Sequence, residues 1–123
     1  MKNPQIIFCT ESNLNWQAIY DRLKHDNPSV VISVFNTVNR AIDFLPETGK
    51  WIVVTESVLL DEESEEKVSR LPLLCKAKNP ESVVILYTGE TYDVDVRLFD
   101  HYINNYEKGS YQKLFSFFRR YSS

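Results

Sequence analysis

The chain has 123 residues, 43% of them hydrophobic and 25% charged, with only three glycines and five prolines; this is one domain of ordinary globular composition, which excludes a disordered or fibrous protein. A formal net charge of -3 leaves no electrostatic footprint for nucleic acid. No stretch approaches the roughly 18 apolar residues that span a bilayer, and no basic region with apolar core and cleavage site opens the chain, so a cytoplasmic protein without direct nucleic-acid or membrane contact is expected.

In chain order, Ile6 to Cys9 reads as an apolar strand, and Thr10, Glu11, Ser12 and Asn13 supply turn and capping chemistry. Trp16, Ile19, Tyr20 and Leu23 follow at i, i+3, i+4 and i+7, one face of a helix that Asn27 and Pro28 end. Val30 to Phe35 is a second strand. Asn36 or Thr37 can cap the next helix, where Val38, Ala41, Ile42 and Leu45 repeat the helical spacing before Pro46 and Gly49 stop it. Trp51 to Val54 is an unbroken apolar run suited to the middle of a parallel sheet, with Thr55 and Glu56 at its carboxyl end.

Residues 61 to 66, DEESEE, hold five acids in six, read as a solvated helix start where carboxylates meet the positive dipole end, with an acidic docking patch as the alternative. The helix through Val68, Leu71, Leu74 and Cys75 should begin late or kink at Pro72. Val83 to Tyr87 is the fourth strand, ending in Thr88 and Gly89. Only a dozen residues then separate it from His101, with β-branched Val94 and Val96 among them, so a full fourth helix is not expected. Tyr102 to Tyr106 reads as the fifth strand, Gly109 breaks it, and Ser110 caps a last helix with Tyr111, Leu114, Phe115 and Phe118 on one face. Strands alternating with short crossovers predict a single α/β domain over residues 1–123, flavodoxin-like, with a five-stranded parallel sheet of order 2-1-3-4-5, helices on both faces and a short or absent fourth helix. Thr10, Glu11, Thr55, Glu56 and Thr88 would gather at one edge.

This architecture resembles the receiver domain of bacterial response regulators, the fold of the chemotaxis regulator. The resemblance implies an acidic pair after strand one that binds magnesium, a phosphoacceptor aspartate ending strand three, a hydroxyl ending strand four and a lysine ending strand five. IIFCTE sets Thr10 and Glu11 at the acidic pair, WIVVT sets Thr55 at the acceptor, VVILYT sets Thr88 at the hydroxyl and HYINNY sets Asn105 at the lysine. Only Glu11 and Thr88 keep the family's chemistry. A neutral Thr55 lacks the carboxylate's charge and reactivity, and Asn105 offers no cation to a phosphoryl oxygen. The chain therefore resembles a pseudo-receiver, with no metal and no cofactor expected. Glu56 is either a polar residue starting a loop or, with a one-residue bulge in strand three, a mimic of a phosphorylated aspartate. Tyr102 falls at the family's aromatic switch position and is read as either a partner of Thr88 or a residue packed at the sheet edge.

The leading expectation is a non-enzymatic signalling module that docks a protein partner or forms a homodimer. An atypical phosphorylatable response regulator is the alternative. A small enzyme using Cys9 as nucleophile, a cysteine ending strand one being similar to that of sugar-transport phosphocarrier domains and small tyrosine phosphatases, stands below both, because CTESNLNW has no glycine-rich anion loop and Asn15 stands where the phosphatase arginine would be. Neither cysteine has CxxC spacing or a histidine cluster, so neither a disulfide framework nor a zinc site is expected. His25 and His101 are read as surface or structural residues. The interaction face is expected at the shortened fourth connection, strand five and the last helix, with Tyr92, Phe99, Tyr102, Tyr106, Phe117 and Tyr121 exposed and Arg119 and Arg120 at the rim.

Overall fold

The computed structural model describes residues 5–10, 16–57, 68–89, 91 and 94–121. Its strands are β1 (Gln5–Cys9), β2 (Val31–Phe35), β3 (Ile52–Thr55), β4 (Val83–Tyr87) and β5 (His101–Ile103), and its helices are α1 (Trp16–Asp26), α2 (Val38–Phe44), α3 (Leu71–Lys78) and α4 (Ser110–Arg120). All strand pairs are parallel, in the order β2-β1-β3-β4-β5. Every residue of β3 and β4 is buried. That is why these segments are unbroken apolar runs rather than alternating ones: both faces of a central parallel strand are covered.

The pleat divides the core in two. Ile6, Phe8, Ile52, Val54, Ile85 and Ile103 face α1 and α4, where Ile19, Leu23, Leu114 and Phe118 meet them. Ile7, Cys9, Val53, Val84 and Leu86 face α2 and α3, where Val38, Ala41, Leu71 and Cys75 cover them. Thr37 is the cap of α2, its hydroxyl accepting the Arg40 N–H at 3.0 Å. A 3₁₀ turn at Val68–Arg70 leads into α3, and Pro72 lies in the first helical turn, where its missing N–H costs no hydrogen bond. The acidic run at 61–66 lies outside the described residues. Between β4 and β5 the described residues contain a single 3₁₀ turn, Val96–Leu98, and no α-helix.

Three expectations need correction. β5 ends at Ile103 rather than Tyr106, because Asn104 folds the chain: its side-chain oxygen takes the Tyr106 N–H at 3.0 Å and its carbonyl takes the Glu107 N–H at 3.1 Å. The cap of α4 is Gly109, at φ +87°, in the left-handed region that glycine enters without a Cβ clash. Ser110 is instead the first helical residue, and its buried hydroxyl lies 3.3 Å from the Tyr87 hydroxyl. Phe99 is not exposed: it is buried in the α2/α3 core, since the lean connection drops it onto the sheet in place of a helix.

Candidate functional site at the carboxyl end of the sheet

Backbone hydrogen bonds carry the sheet one residue past the ends of β1, β3 and β4 and two past the end of β5, and so align the site. Thr10 N–H reaches the Phe35 carbonyl (2.9 Å), Glu56 N–H the Cys9 carbonyl (3.3 Å), Thr88 N–H the Ile103 carbonyl (3.1 Å) and Asn105 N–H the Thr88 carbonyl (3.3 Å). Thr10, Glu56, Thr88 and Asn105 thus stand side by side at the edge where open α/β sheets build sites. Glu11 lies outside the described residues.

Within this row the side chains pair with one another. The Thr10 hydroxyl donates to the Glu56 carboxylate at 2.8 Å, and the Ser57 and Thr88 hydroxyls lie 3.2 Å apart. Thr55 is 1% exposed and turns its hydroxyl back to the Glu56 carbonyl at 3.0 Å. The register Cys9 to Thr55 and Thr55 to Leu86 is continuous, so β3 has no bulge at this point. Glu56 reaches the edge from the residue after the strand. The Asn105 side-chain oxygen is buried and has no hydrogen-bond partner. Among the described residues no group of three or more His, Cys, Asp or Glu side chains is placed to hold a metal ion.

Sequence reading missed two members. Ser57 faces Thr88 because it lies two residues past Thr55, where β3 has turned out of the sheet. Gly89 lies beneath Tyr106: a Cβ there would come within 2.3 to 2.5 Å of three ring carbons, while Tyr106 as a residue is 72% exposed. Only glycine allows that approach. The signal available in the sequence was a glycine directly after a strand-ending threonine, with a tyrosine after Asn105.

On the expected interaction face, Tyr102, Tyr106 and Leu98 are exposed. Tyr92 lies outside the described residues. Phe117 and Tyr121 are half-buried around His101: the His101 ring stacks on Phe117 at 3.9 Å, and its Nε2 lies 2.7 Å from the Tyr121 hydroxyl. Burial pushes the His101 pKa below its usual value and Arg120 adds to that, against the opposing charge of Asp100. The two arginines separate. Arg120 lies over the Tyr121 ring at 5.3 Å, whereas Arg119 lines the opposite flank of α4, beside α1. Cys9 and Cys75 are free and buried; burial drives both thiols up, Cys75 to about 12 and Cys9 further, which disfavours the thiolate a nucleophile needs.

A scan of protein-family models and a search of curated proteins each found no match. Among solved structures, the crystal structure of the signal receiver domain of an HD domain-containing protein from Pseudomonas fluorescens Pf-5 superimposes with a TM-score of 0.68, covering 98% of this chain and 87% of that one at 16% identity. No helix among the described residues is long and apolar enough to cross a membrane. The likeness at that identity is one of backbone, and it agrees with the strand order observed: this chain has the flavodoxin-like fold of a signal receiver domain.

Proposed function

We propose that the chain is a non-enzymatic signalling module, a pseudo-receiver that works by phosphorylation-independent docking to a protein partner or by dimerisation. The observation that carries this reading is the chemistry of the acceptor position. Thr55 is buried, neutral and bonded back to its own chain, and Asn105 stands in place of a cation. The one described carboxylate in the row, Glu56, already accepts the Thr10 hydroxyl. Among the described residues this row lacks the paired carboxylates that hold magnesium against a phosphoryl group, and it has no carboxylate at the acceptor position. Burial of Cys9, with its thiol pushed up, argues against the nucleophile reading in the same way.

The face we assign to docking is the 3₁₀ connection, β5 and the adjoining side of α4. Leu98, Tyr102 and Tyr106 are its exposed anchors, with Arg120 at the rim. Phe117 and Tyr121 support it from beneath by fixing His101. Large side chains presented on a rigid sheet edge suit interface anchors. Magnesium with beryllofluoride, a phosphoryl mimic, should leave the amide NMR spectrum unchanged, and acetyl phosphate should add no mass. Changing Tyr102 and Tyr106 to Ser should weaken self-association in sedimentation or partner capture from the native host while leaving the circular dichroism spectrum intact. Localised shifts at Thr55 and Thr88 on adding the mimic would overturn the pseudo-receiver reading; undiminished association would move the interface.

A further inference from the structure

β2 ends the sheet order on one side, as the shorter β5 does on the other. The Phe35 carbonyl of β2 accepts the Thr10 N–H, so backbone alternation turns Val31, Ser33 and Phe35 toward β1 and leaves the N–H and C=O of Ile32 and Val34 facing outward. Among the described residues nothing bonds these outward groups. The open row has a definite end. Val30, the next outward residue, already gives its N–H to the Asn27 carbonyl at 3.0 Å and takes Lys24 Nζ on its own carbonyl at 2.7 Å.

Edge strands that stay single are commonly guarded by a charge, a proline or a bulge. VISVF, the whole of β2, contains no charged residue and no proline, and its register against β1 runs unbroken from Val31 to Phe35, without a bulge. Large apolar side chains are open here instead: Val31 is 45% exposed, Val34 37%, and Phe44, whose ring lies 5.1 Å from that of Phe35, 43%. The strand is also symmetric about Ser33. An antiparallel copy centred there sets Ser33 against Ser33, Ile32 against Val34 and Val31 against Phe35, so every apolar residue meets an apolar one and no like charges meet. The backbone independently selects the same centre. Ile32 and Val34, the outward residues, fall opposite each other as hydrogen-bonded pairs, and Ser33 becomes a non-hydrogen-bonded pair with Cα atoms about 4.5 Å apart.

We propose that β2 pairs antiparallel with β2 of a second copy of this chain, about a two-fold axis at Ser33, joining two sheets into one. β2 and β5 are opposite edges of the sheet, so dimerisation through one leaves the other to a protein partner, and the two can fail separately. A ladder this short belongs with the small specific interfaces, below about 1,200 Å² in total, so the dimer should be reversible and concentration-dependent. Sedimentation of the full chain should show it. Ser33→Glu and Ser33→Lys should each be monomeric, because like charges then face each other across the axis, and mixing the two in equal amounts should restore the dimer. Val34→Lys, at a more open position, should weaken association with the circular dichroism spectrum unchanged, whether or not the Ser33 variants fold. Ser33→Cys should cross-link to its counterpart under oxidised glutathione, since the paired Cα atoms lie within disulfide reach. Val31→Cys, about 14 Å from its counterpart in this register, should not. Tyr102→Ser with Tyr106→Ser should leave the dimer intact. A monomeric parent would give the edge to a different occupant and overturn the proposal. So would a dimer that Val34→Lys leaves untouched, one that the two β5 substitutions abolish, or equal cross-linking of the two cysteine variants.

Discussion

The two ends of the sheet use polar groups in opposite ways. At the amino end, Asn79 is fully buried and satisfied: its amide nitrogen donates to the carbonyls of Pro46 and Gly49, both at 2.9 Å, and its oxygen accepts the Glu81 N–H at 2.9 Å. Asp100 likewise takes the Val84 N–H at 2.7 Å and pairs with Lys76 at 3.0 Å. At the carboxyl end, hydroxyls pair with one another or with Glu56, and Asn105 keeps a buried oxygen without a partner. One asparagine ties the α2–β3 and α3–β4 loops together with three bonds; the other buries its side-chain oxygen at a desolvation cost with no bond in return. The contrast separates an end that holds the fold from an end that the fold supports.

The largest effect should come from Asn79→Ala, which orphans two carbonyls and an N–H at once. A loss of about 3 kcal/mol in denaturant unfolding is expected. A loss below about 1 kcal/mol would remove the distinction between the two ends.

Thr55→Asp should cost less, on the order of 2 kcal/mol at neutral pH, because it sets a second carboxylate at a 1% exposed position next to Glu56. Burial raises the folded pKa of that carboxyl above its unfolded value. The deficit should therefore be full at neutral pH and shrink as pH falls through the folded pKa. The variant should still take no phosphate from acetyl phosphate, since Asn105 supplies no cation. Stable phosphorylation, seen by intact mass, would show that the acceptor alone was missing.

Most of the scaffold was legible because periodicity reports burial. The runs in β1, β3 and β4 and the i, i+3, i+4 spacings in α1, α2 and α4 are each dictated by one packed face. The parallel sheet followed from short right-handed crossovers, and its order from the flavodoxin-like arrangement that is commonest at this length. The site was legible only as positions, through the resemblance of IIFCTE, WIVVT and VVILYT to receiver motifs. Contacts set in three dimensions were not. The Ser57–Thr88 pair depends on how β3 leaves the sheet, and the seat of Tyr106 on Gly89 depends on the turn Asn104 makes. The α4 aromatics looked like surplus apolar arc, but Phe117 and Tyr121 are engaged by His101 across the sheet edge.

Gly89→Ala sharpens the picture at the carboxyl end. The obstacle is a side-chain ring rather than backbone, so the ring should swing off at a cost of about 1 kcal/mol. Adding Tyr106→Ser should recover that loss, a coupling readable in a double-mutant cycle. In the parent chain the Gly89 α-protons should be shifted upfield by the ring. Ordinary α-proton shifts would mean that Tyr106 is not seated there in solution.

His101→Gln tests the opposite side of the comparison, at the start of β5. The folded pKa is depressed, so the unfolded chain binds the proton more readily and this residue's contribution to stability is lost as pH falls from its unfolded value through the folded one. The parent should lose stability over that window relative to the variant. Parallel stability curves for the two proteins would sink the assignment.

The smallest change is expected from Asn105→Leu. Leucine removes a buried acceptor that has no donor and keeps an apolar side chain at a half-buried position, so stability should stay within about 1 kcal/mol of the parent, on the side of gain. The denaturant midpoint should move accordingly with an unchanged slope. The same substitution at Asn79 would be severely destabilising, since three bonds disappear there. If Asn105→Leu instead cost as much as Asn79→Ala, the carboxyl end would prove to be held by its polar groups as the amino end is. A neutral or positive result would mark Asn105 as a polar group kept at this edge for something other than folding.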